Sequence, residues 1–354
     1  SSENVAIGRS ALQELNHTTA TNGFNTAVGS DAGKSVTTGV FNTLIGGLAG
    51  DALTDADHNV AIGEDALAQD TLGSKSVAIG RTALFSQNFT TAADSLNTAV
   101  GYGAGFGVTT GTLNTFLGAQ AGDGITTATG NTAIGAVALS GACSNDNTAV
   151  GNYAIAQTTG EANTAIGQVA GFDITSGDNN IAIGKDSLRS GSPGGTQTTG
   201  SNKIGLGDDN ISSFNCQVAL TVASDERDKT DFVDLDLGLD FVKALEPVTY
   251  YWDKRSKYGD KNSDDFDLDN LTPDGTHKED WMDVGFKAQA VQALEDAAGY
   301  TASAKKNLTV ASSDDGKQLG LRYEKFIPIL VKAIQDQDAI IQSLTARIAA
   351  LESN

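Results

Sequence analysis

Eleven times between Ser1 and Gly184 the chain writes a near-identical pentad: asparagine, then alternating small and β-branched residues, then glycine. The copies begin at Asn4, Asn25, Asn42, Asn59, Ser76, Asn97, Asn114, Asn131, Asn147, Asn163 and Asn180. Start-to-start spacings are 21, 17, 17, 17, 21, 17, 17, 16, 16 and 17 residues, so a 17-residue unit dominates and two units carry four extra residues. A fixed period of this size marks a supersecondary unit stacked on itself, so about the first two thirds of the chain is a solenoid rather than a compact globule.

Within a unit the alternation suits a short strand, and the closing Gly permits a positive φ at a corner. Ten of the eleven units place Ala at the third position after that Gly, from Ala11 to Ala170, with Ser187 the exception. A side chain this small lets backbones approach closely, either inside the coil or across a subunit contact. Thr-Thr-Gly turns at 37–39, 109–111, 158–160 and 198–200 form polar corners. Coils stacked about 4.8 Å apart make a rod of roughly 50 Å. The recurring asparagine is placed either for a ladder of stacked side-chain amides or simply for its turn propensity. The extra residues around 65–76 and 85–96 are candidate exposed loops or spacers.

Past the repeats the physics changes. Residues 1–223 hold 34 of the 41 glycines and 25 charged residues, whereas 224–354 hold 42 charged residues and both tryptophans, Trp252 and Trp281. The net charge of −21 argues against nucleic acid as a partner, which requires clustered Lys and Arg. No stretch approaches the roughly 20 apolar residues of a membrane span, and no signal peptide is visible. The chain opens inside a repeat, so an upstream segment is expected. Cys143 and Cys216 lie too far apart along the coils to bridge, which leaves free thiols. His17, His58 and His277 are scattered without ligand spacing, and no metal or cofactor is assigned. The acids at 260–274 and the run Asp231, Asp234, Asp236 and Asp240 read as solvated; Asn270 denies the first group the glycine of a calcium loop.

From 190 the pattern loosens. Residues 190–195 read as a flexible loop, 202–207 as a degenerate twelfth pentad, and 217–222 alternate like a last strand. At the other end, Ile327, Ile334, Ile341 and Ile348 recur every seven residues, with Leu330, Gln337, Leu344 and Leu351 three residues after each. Four such heptads predict a coiled coil. Ile at the first position with Leu at the second favours two parallel strands, whereas a buried Gln337 fits a larger, looser core.

The pentad and the small-residue turn after it resemble the β-roll of trimeric autotransporter adhesin heads, and resemble more closely the glycine-rich repeats of bacteriophage tail fibres. In both families three chains associate in parallel, which implies a homotrimer here. The run from Ala223 through Ser224, Asp225, Glu226, Arg227, Asp228 and Lys229 to Phe232 looks like the start of the self-cleaving intramolecular chaperone at the C-terminus of phage tailspikes and endosialidases, whose signature is Ser-Asp-x-Arg-x-Lys. Segments 241–252, 284–294 and 321–334 resemble later blocks of that family in order. By this resemblance Ser224 is the nucleophile, Lys229 its base, Asp225 and Arg227 supporting residues, and Ala223–Ser224 the bond broken. The chemistry is that of a Ser–Lys pair: a hydroxyl attacks the preceding carbonyl while a lysine, buried enough to be neutral, takes its proton. Ser-Asp-Glu also suits a helix N-terminus. Asp228, where relatives usually carry an apolar or bulkier residue, favours the charged lysine and slows cleavage.

The expected architecture is a trimeric β-solenoid shaft over 1–189, a degenerate repeat and linker strand over 190–223, an α+β chaperone domain over 224–322 and a coiled-coil helix over 323–354. The expected function is a phage tail fibre for host attachment, assembled in the host cytoplasm and carried on the virion. Its implied partners are two further copies of itself, other tail proteins upstream and an unidentified host receptor. Any catalysis is a single self-cleavage. The alternatives are a cellular trimeric adhesin head, disfavoured by the lack of a following membrane anchor, and a glycan-degrading tailspike. Against the latter, the repeats offer neither paired carboxylates nor aromatic platforms for sugar.

Overall fold

A computed structural model of the chain describes residues 3–17, 22–261, 263 and 265–353. It divides into two compact units, Ser1–Asn210 and Ile211–Asn354.

The first unit is a β-solenoid. Each pentad contributes one three-residue strand to a parallel sheet of twelve, running in chain order from Val5–Ile7 to Ile204–Leu206. Register is conserved from rung to rung, so that Ala133 lies beside Ala149 and Ala149 beside Ala165. The degenerate pentad supplies the twelfth rung, with Lys203 in the asparagine register and its N–H donating to Asn180 Oδ1 at 3.0 Å.

The period of two along a strand divides each rung into faces. Its middle residue, from Ala27 through Leu44 and Phe116 to Ala182, is fully buried. The alanines three residues after each corner glycine, from Ala32 to Ala170, are fully buried in the same core, so they serve the interior of the coil. The third residue of each strand faces outward. In all twelve rungs it is Ile, Val or Leu: Ile7, Val28, Ile45, Ile62, Ile79, Val100, Leu117, Ile134, Val150, Ile166, Ile183 and Leu206.

The asparagines form a ladder, though seldom amide to amide. Oδ1 of one rung accepts the backbone N–H of the next rung's asparagine, as in Asn25 to Asn42 and Asn42 to Asn59, both at 2.9 Å. Nδ2 donates to a carbonyl fourteen residues onward, Asn42 to Ala56 O at 2.7 Å. Two direct amide pairs appear among the described residues, Asn114 to Asn97 and Asn180 to Asn163.

Ser76 interrupts this ladder, and a buried polar cluster repairs it. Gln87 Nε2 donates to Ser76 Oγ and to Asp70 Oδ2, at 2.8 and 2.6 Å, while its Oε1 accepts from Asn97 Nδ2 at 2.9 Å. Asp70 Oδ1 accepts the N–H groups of Gly73 and Phe89. The insertions therefore turn partly inward: Asp70, Gln87 and Ser95 are buried, and Gly73–Ser74 pairs with Ala93–Asp94 as a second small parallel sheet.

In the second unit, the expected strand at 217–222 does not form: Val218, Leu220 and Val222 are exposed, and no strand pairs with them. A single 3-10 turn, Glu226–Asp228, precedes helix α1 (Leu239–Ala244). Then follow the antiparallel pair Val248–Tyr251 with Met282–Gly285, helix α2 (Ala288–Ala297), the pair Val310–Ser312 with Leu319–Leu321, and helix α3 (Phe326–Glu352). Leu237, Phe241, Val291, Val310, Phe326 and Ile329 make the core. Buried Glu295 ties α2 to the second pair, accepting from Leu308 N and Thr309 N at 3.2 and 2.6 Å. Only the first turns of α3 enter this core, through Phe326, Ile329 and Ala333. Seven of the eight heptad residues, Ile327, Leu330, Ile334, Ile341, Leu344, Ile348 and Leu351, are exposed apolar side chains, and the eighth is Gln337.

Candidate active site

The turn at Glu226–Asp228 is held by its own sequence. The carboxylate of Asp225 caps it by accepting Arg227 N at 2.9 Å, and two backbone bonds, Asp228 N to Asp225 O and Lys229 N to Glu226 O, close it. The Arg227 side chain folds back onto the same carboxylate, Nε to Oδ1 at 3.0 Å and Nη2 to Oδ2 at 2.6 Å. These bonds from Arg227 hold the Asp225 carboxyl below the usual carboxylate range and raise the guanidinium in turn. The cap expected on Ser224 is thus made by Asp225, which leaves the Ser224 hydroxyl unclaimed by the backbone.

One 3-10 turn reverses the chain enough for residue i+5 to meet residue i. Lys229 Nζ lies 2.6 Å from Ser224 Oγ and 3.3 Å from Ser224 O. Asp228 makes no ion pair with Lys229 among the described residues. Every residue from 221 to 230 is exposed in the single chain. The geometry can pass a proton between hydroxyl and amine; the burial that a neutral lysine requires is not supplied by one chain.

This turn opens a recognisable domain. Residues 224–300 match the family described as chaperone of endosialidase. The match begins at Ser224 itself and takes in the turn, α1, the first antiparallel pair and α2. A β-solenoid followed by this domain fits an endosialidase-type tail fibre with a C-terminal chaperone. Neither a curated protein nor a solved structure matches the chain.

Elsewhere, some acids are paired with bases. In the acid-rich loop, Asp267 receives Lys317 Nζ at 2.7 Å, which lowers its carboxyl, and Asp269 pairs with Arg255 at 3.3 Å; Asn262 and Asp264 lie outside the described residues. Both cysteines are free, with Cys143 buried and Cys216 exposed in the second unit. Among the described residues no helix is long and apolar enough to cross a membrane.

Two features escaped sequence reasoning. The unbroken outward column of Ile, Val and Leu was legible as the fourth pentad position, but its direction was not. Exposed aromatics of the coils meet through the stacking of successive turns, as with Phe24 and Phe41 at 5.3 Å and Phe41 and His58 at 4.9 Å.

Proposed function

We propose that this chain is a homotrimeric phage tail-fibre protein used in host attachment, in which the chaperone domain gathers and aligns three solenoid chains and then cuts itself free between Ala223 and Ser224. The observation that carries the reading is the junction: a chaperone-family match opens on Ser224, whose hydroxyl meets Lys229 Nζ at 2.6 Å.

Association is supported by apolar surface that one chain leaves bare. Twelve outward side chains, six exposed and six half-buried, line the solenoid sheet, seven heptad residues line α3, and Trp281, Met282 and Val284 are exposed on the chaperone domain. Contiguous apolar surface on this scale marks contact with another chain. The heptads give α3 the pattern of a coiled coil, and the resemblance to parallel fibre families favours three chains.

The proposed cleavage runs as follows. Ser224 Oγ adds to the Ala223 carbonyl carbon while its proton passes to Lys229 Nζ. The C–N bond to Ser224 breaks, the departing nitrogen takes that proton, and Ala223 is held as an ester on Oγ. Water then hydrolyses the ester, leaving an Ala223 carboxylate and a free Ser224 hydroxyl. Because burial is what makes a lysine available as a base, the step belongs after association, when neighbouring chains cover the loop.

The test is the mass of purified protein under native and denaturing conditions. Wild type should give two denatured fragments joined at residue 223; Ser224→Ala and Lys229→Met should each give one intact chain. A separated C-terminal fragment in Ser224→Ala would overturn the cleavage assignment, and a single-chain native mass in that variant would overturn the trimer.

A further inference from the structure

On the solenoid, a groove of about 380 Å³ is lined by Arg81, Thr82, Tyr102, Phe106, Gln120 and Asp123 around Gly103. That volume lies within the range of small-molecule sites, roughly 300–1,000 Å³. The groove exists because one side chain is missing. The second residue after each corner glycine is Ser10, Asp31, Leu48, Asp65 and Thr82 in the coils before Gly103, and Gln120, Val137, Tyr153, Val169 and Asp186 in those after it. All ten hold a φ of 54 to 59°. Gly103, at 62°, shares that conformation, so the backbone does not demand glycine there. A Cβ on it would meet only Gln120 Cγ at 3.7 Å and Thr82 Oγ1 at 4.0 Å, which is ordinary contact.

The walls are aromatic and fixed. Tyr102 and Phe106 are 55% and 42% exposed. Phe85 stacks behind Phe106 at 5.3 Å with ring planes 3° apart, and the Arg81 guanidinium sits 5.9 Å from the centre of the Tyr102 ring. The floor is polar. Asp123 Oδ2 receives a long bond from Gln120 Nε2 at 3.5 Å, Oδ1 is shielded from solvent, and the backbone N–H groups of Asp123 and Gly124 also favour the carboxylate. Burial raises the Asp123 carboxyl above its ordinary range. The single nearby cation, Arg81, is already paired with Glu64 at 2.8 Å.

We propose that this groove binds a neutral pyranose sugar of a cell-surface glycan, with the C–H face of the ring against Tyr102 and Phe106 and a hydroxyl donated to Asp123. A pyranose carries an apolar face and a rim of donors together, which matches two exposed rings beside the polar edge made by Asp123 Oδ2 and Gln120. An anionic sugar is disfavoured because Arg81 is neutralised and Asp123 adds negative charge. The rings need no rearrangement to receive it, which spares the ordering cost of binding. The inference deepens the host-attachment reading and rests on it for the source of the glycan.

Saturation-transfer NMR on the full chain, with glucose, galactose, mannose and N-acetylglucosamine as separate probes, tests it. At least one sugar should take saturation from the protein, and Gly103→Gln, which fills the groove with the side chain found one coil onward, should reduce that signal to background. Tyr102→Ala should do the same, and unchanged circular dichroism confirms that both variants fold. No transfer to any of the four sugars overturns the proposal, as does transfer that survives Gly103→Gln. Labelled fibre applied to a panel of bacterial strains separates the two readings. Sugar transfer without adsorption to any strain sinks host attachment and leaves the groove standing; adsorption equal in wild type and Gly103→Gln sinks the groove as the attachment site.

Discussion

At the scale of the residue, the pentad asparagine does work that no apolar side chain can replace. Asn114 Oδ1 accepts the backbone N–H of Asn131 at 2.9 Å, and its Nδ2 donates to Ala128 O at 2.9 Å, all away from solvent. Asn114→Ala strips both partners, and a buried unpaired polar group costs about 1–3 kcal/mol each. A loss of about 2–5 kcal/mol is therefore expected, read as a lower midpoint in urea unfolding; a midpoint shift equivalent to under about 0.5 kcal/mol, that of an ordinary surface change, would show the ladder to be idle. Gln87→Leu should behave similarly, because Asp70 Oδ2, Ser76 Oγ and Asn97 Nδ2 all meet its amide. The two cysteines make a simpler contrast. Burial pushes the Cys143 thiol up to about 12, while Cys216 lies exposed. Since the thiolate is the reactive form, iodoacetamide at pH 8 should add once per native chain, at Cys216, and twice after unfolding. Two adducts on native protein would contradict the packing around Cys143.

At the scale of the element, each coil balances its own volume. Five rungs bury Ala at the strand centre and carry Leu or Ile four residues after the corner glycine, as in Ala133 with Leu139. Where the strand centre is large, its own coil and the preceding one give way. Phe116 is flanked by Gly105 and Gly122, and Leu44 by Gly33 and Gly50, and a Cβ on any of these glycines would run into the large side chain. Backbone strain is not the obstacle, because Leu84 and Leu139 hold the same left-handed conformation in their own coils. Gly122→Leu should overpack the core and cost about 1–3 kcal/mol, and Phe116→Ala should cost about 3–5 kcal/mol by cavity formation. The double variant should recover a large part of both, a coupling that a double-mutant cycle in urea would measure; strict additivity would mean that the two do not share space. Periodicity made the rungs and their register legible, because identical pentads can only stack on one another. It hid the exchange between Phe116 and Gly122, two residues of one coil whose trade of volume shows only when that repeat is set beside the others. The candidate dyad was legible as a motif, whereas the turn that joins Ser224 to Lys229 through an Asp225 cap was not, since the same letters also suit a helix start. The strand expected at 217–222 failed because alternation supplies a face but no partner to pair with.

At the scale of the whole molecule, the proposed association of three chains raises the question of what would align rods whose outward column repeats. Several markers that distinguish one rung from another, Phe116, Leu44 and the Gln87 cluster, are buried inside the coil. The outward column reads Ile, Val or Leu at all twelve rungs, so a slip of one rung between chains forfeits about one contact in twelve and replaces the rest with equivalents. Strand surfaces of this kind specify register weakly. The information must come from a part of the chain that does not repeat, and the chaperone domain, with Trp281, Met282 and Val284 exposed, is such a part. Two variants separate its role from that of the column. Lysine at Ile62, Ile79 and Val100 together should leave the circular dichroism of the coil intact, since these side chains face outward, but should split the released shaft into single chains on sedimentation. Ending the chain after Val222 should leave the column whole and remove the alignment, giving staggered assemblies of mixed mass and length by sedimentation and electron microscopy. If the truncated chain instead gathers into one discrete species with the mass and length of the wild-type shaft, the rungs choose their own alignment and the chaperone domain has some other task.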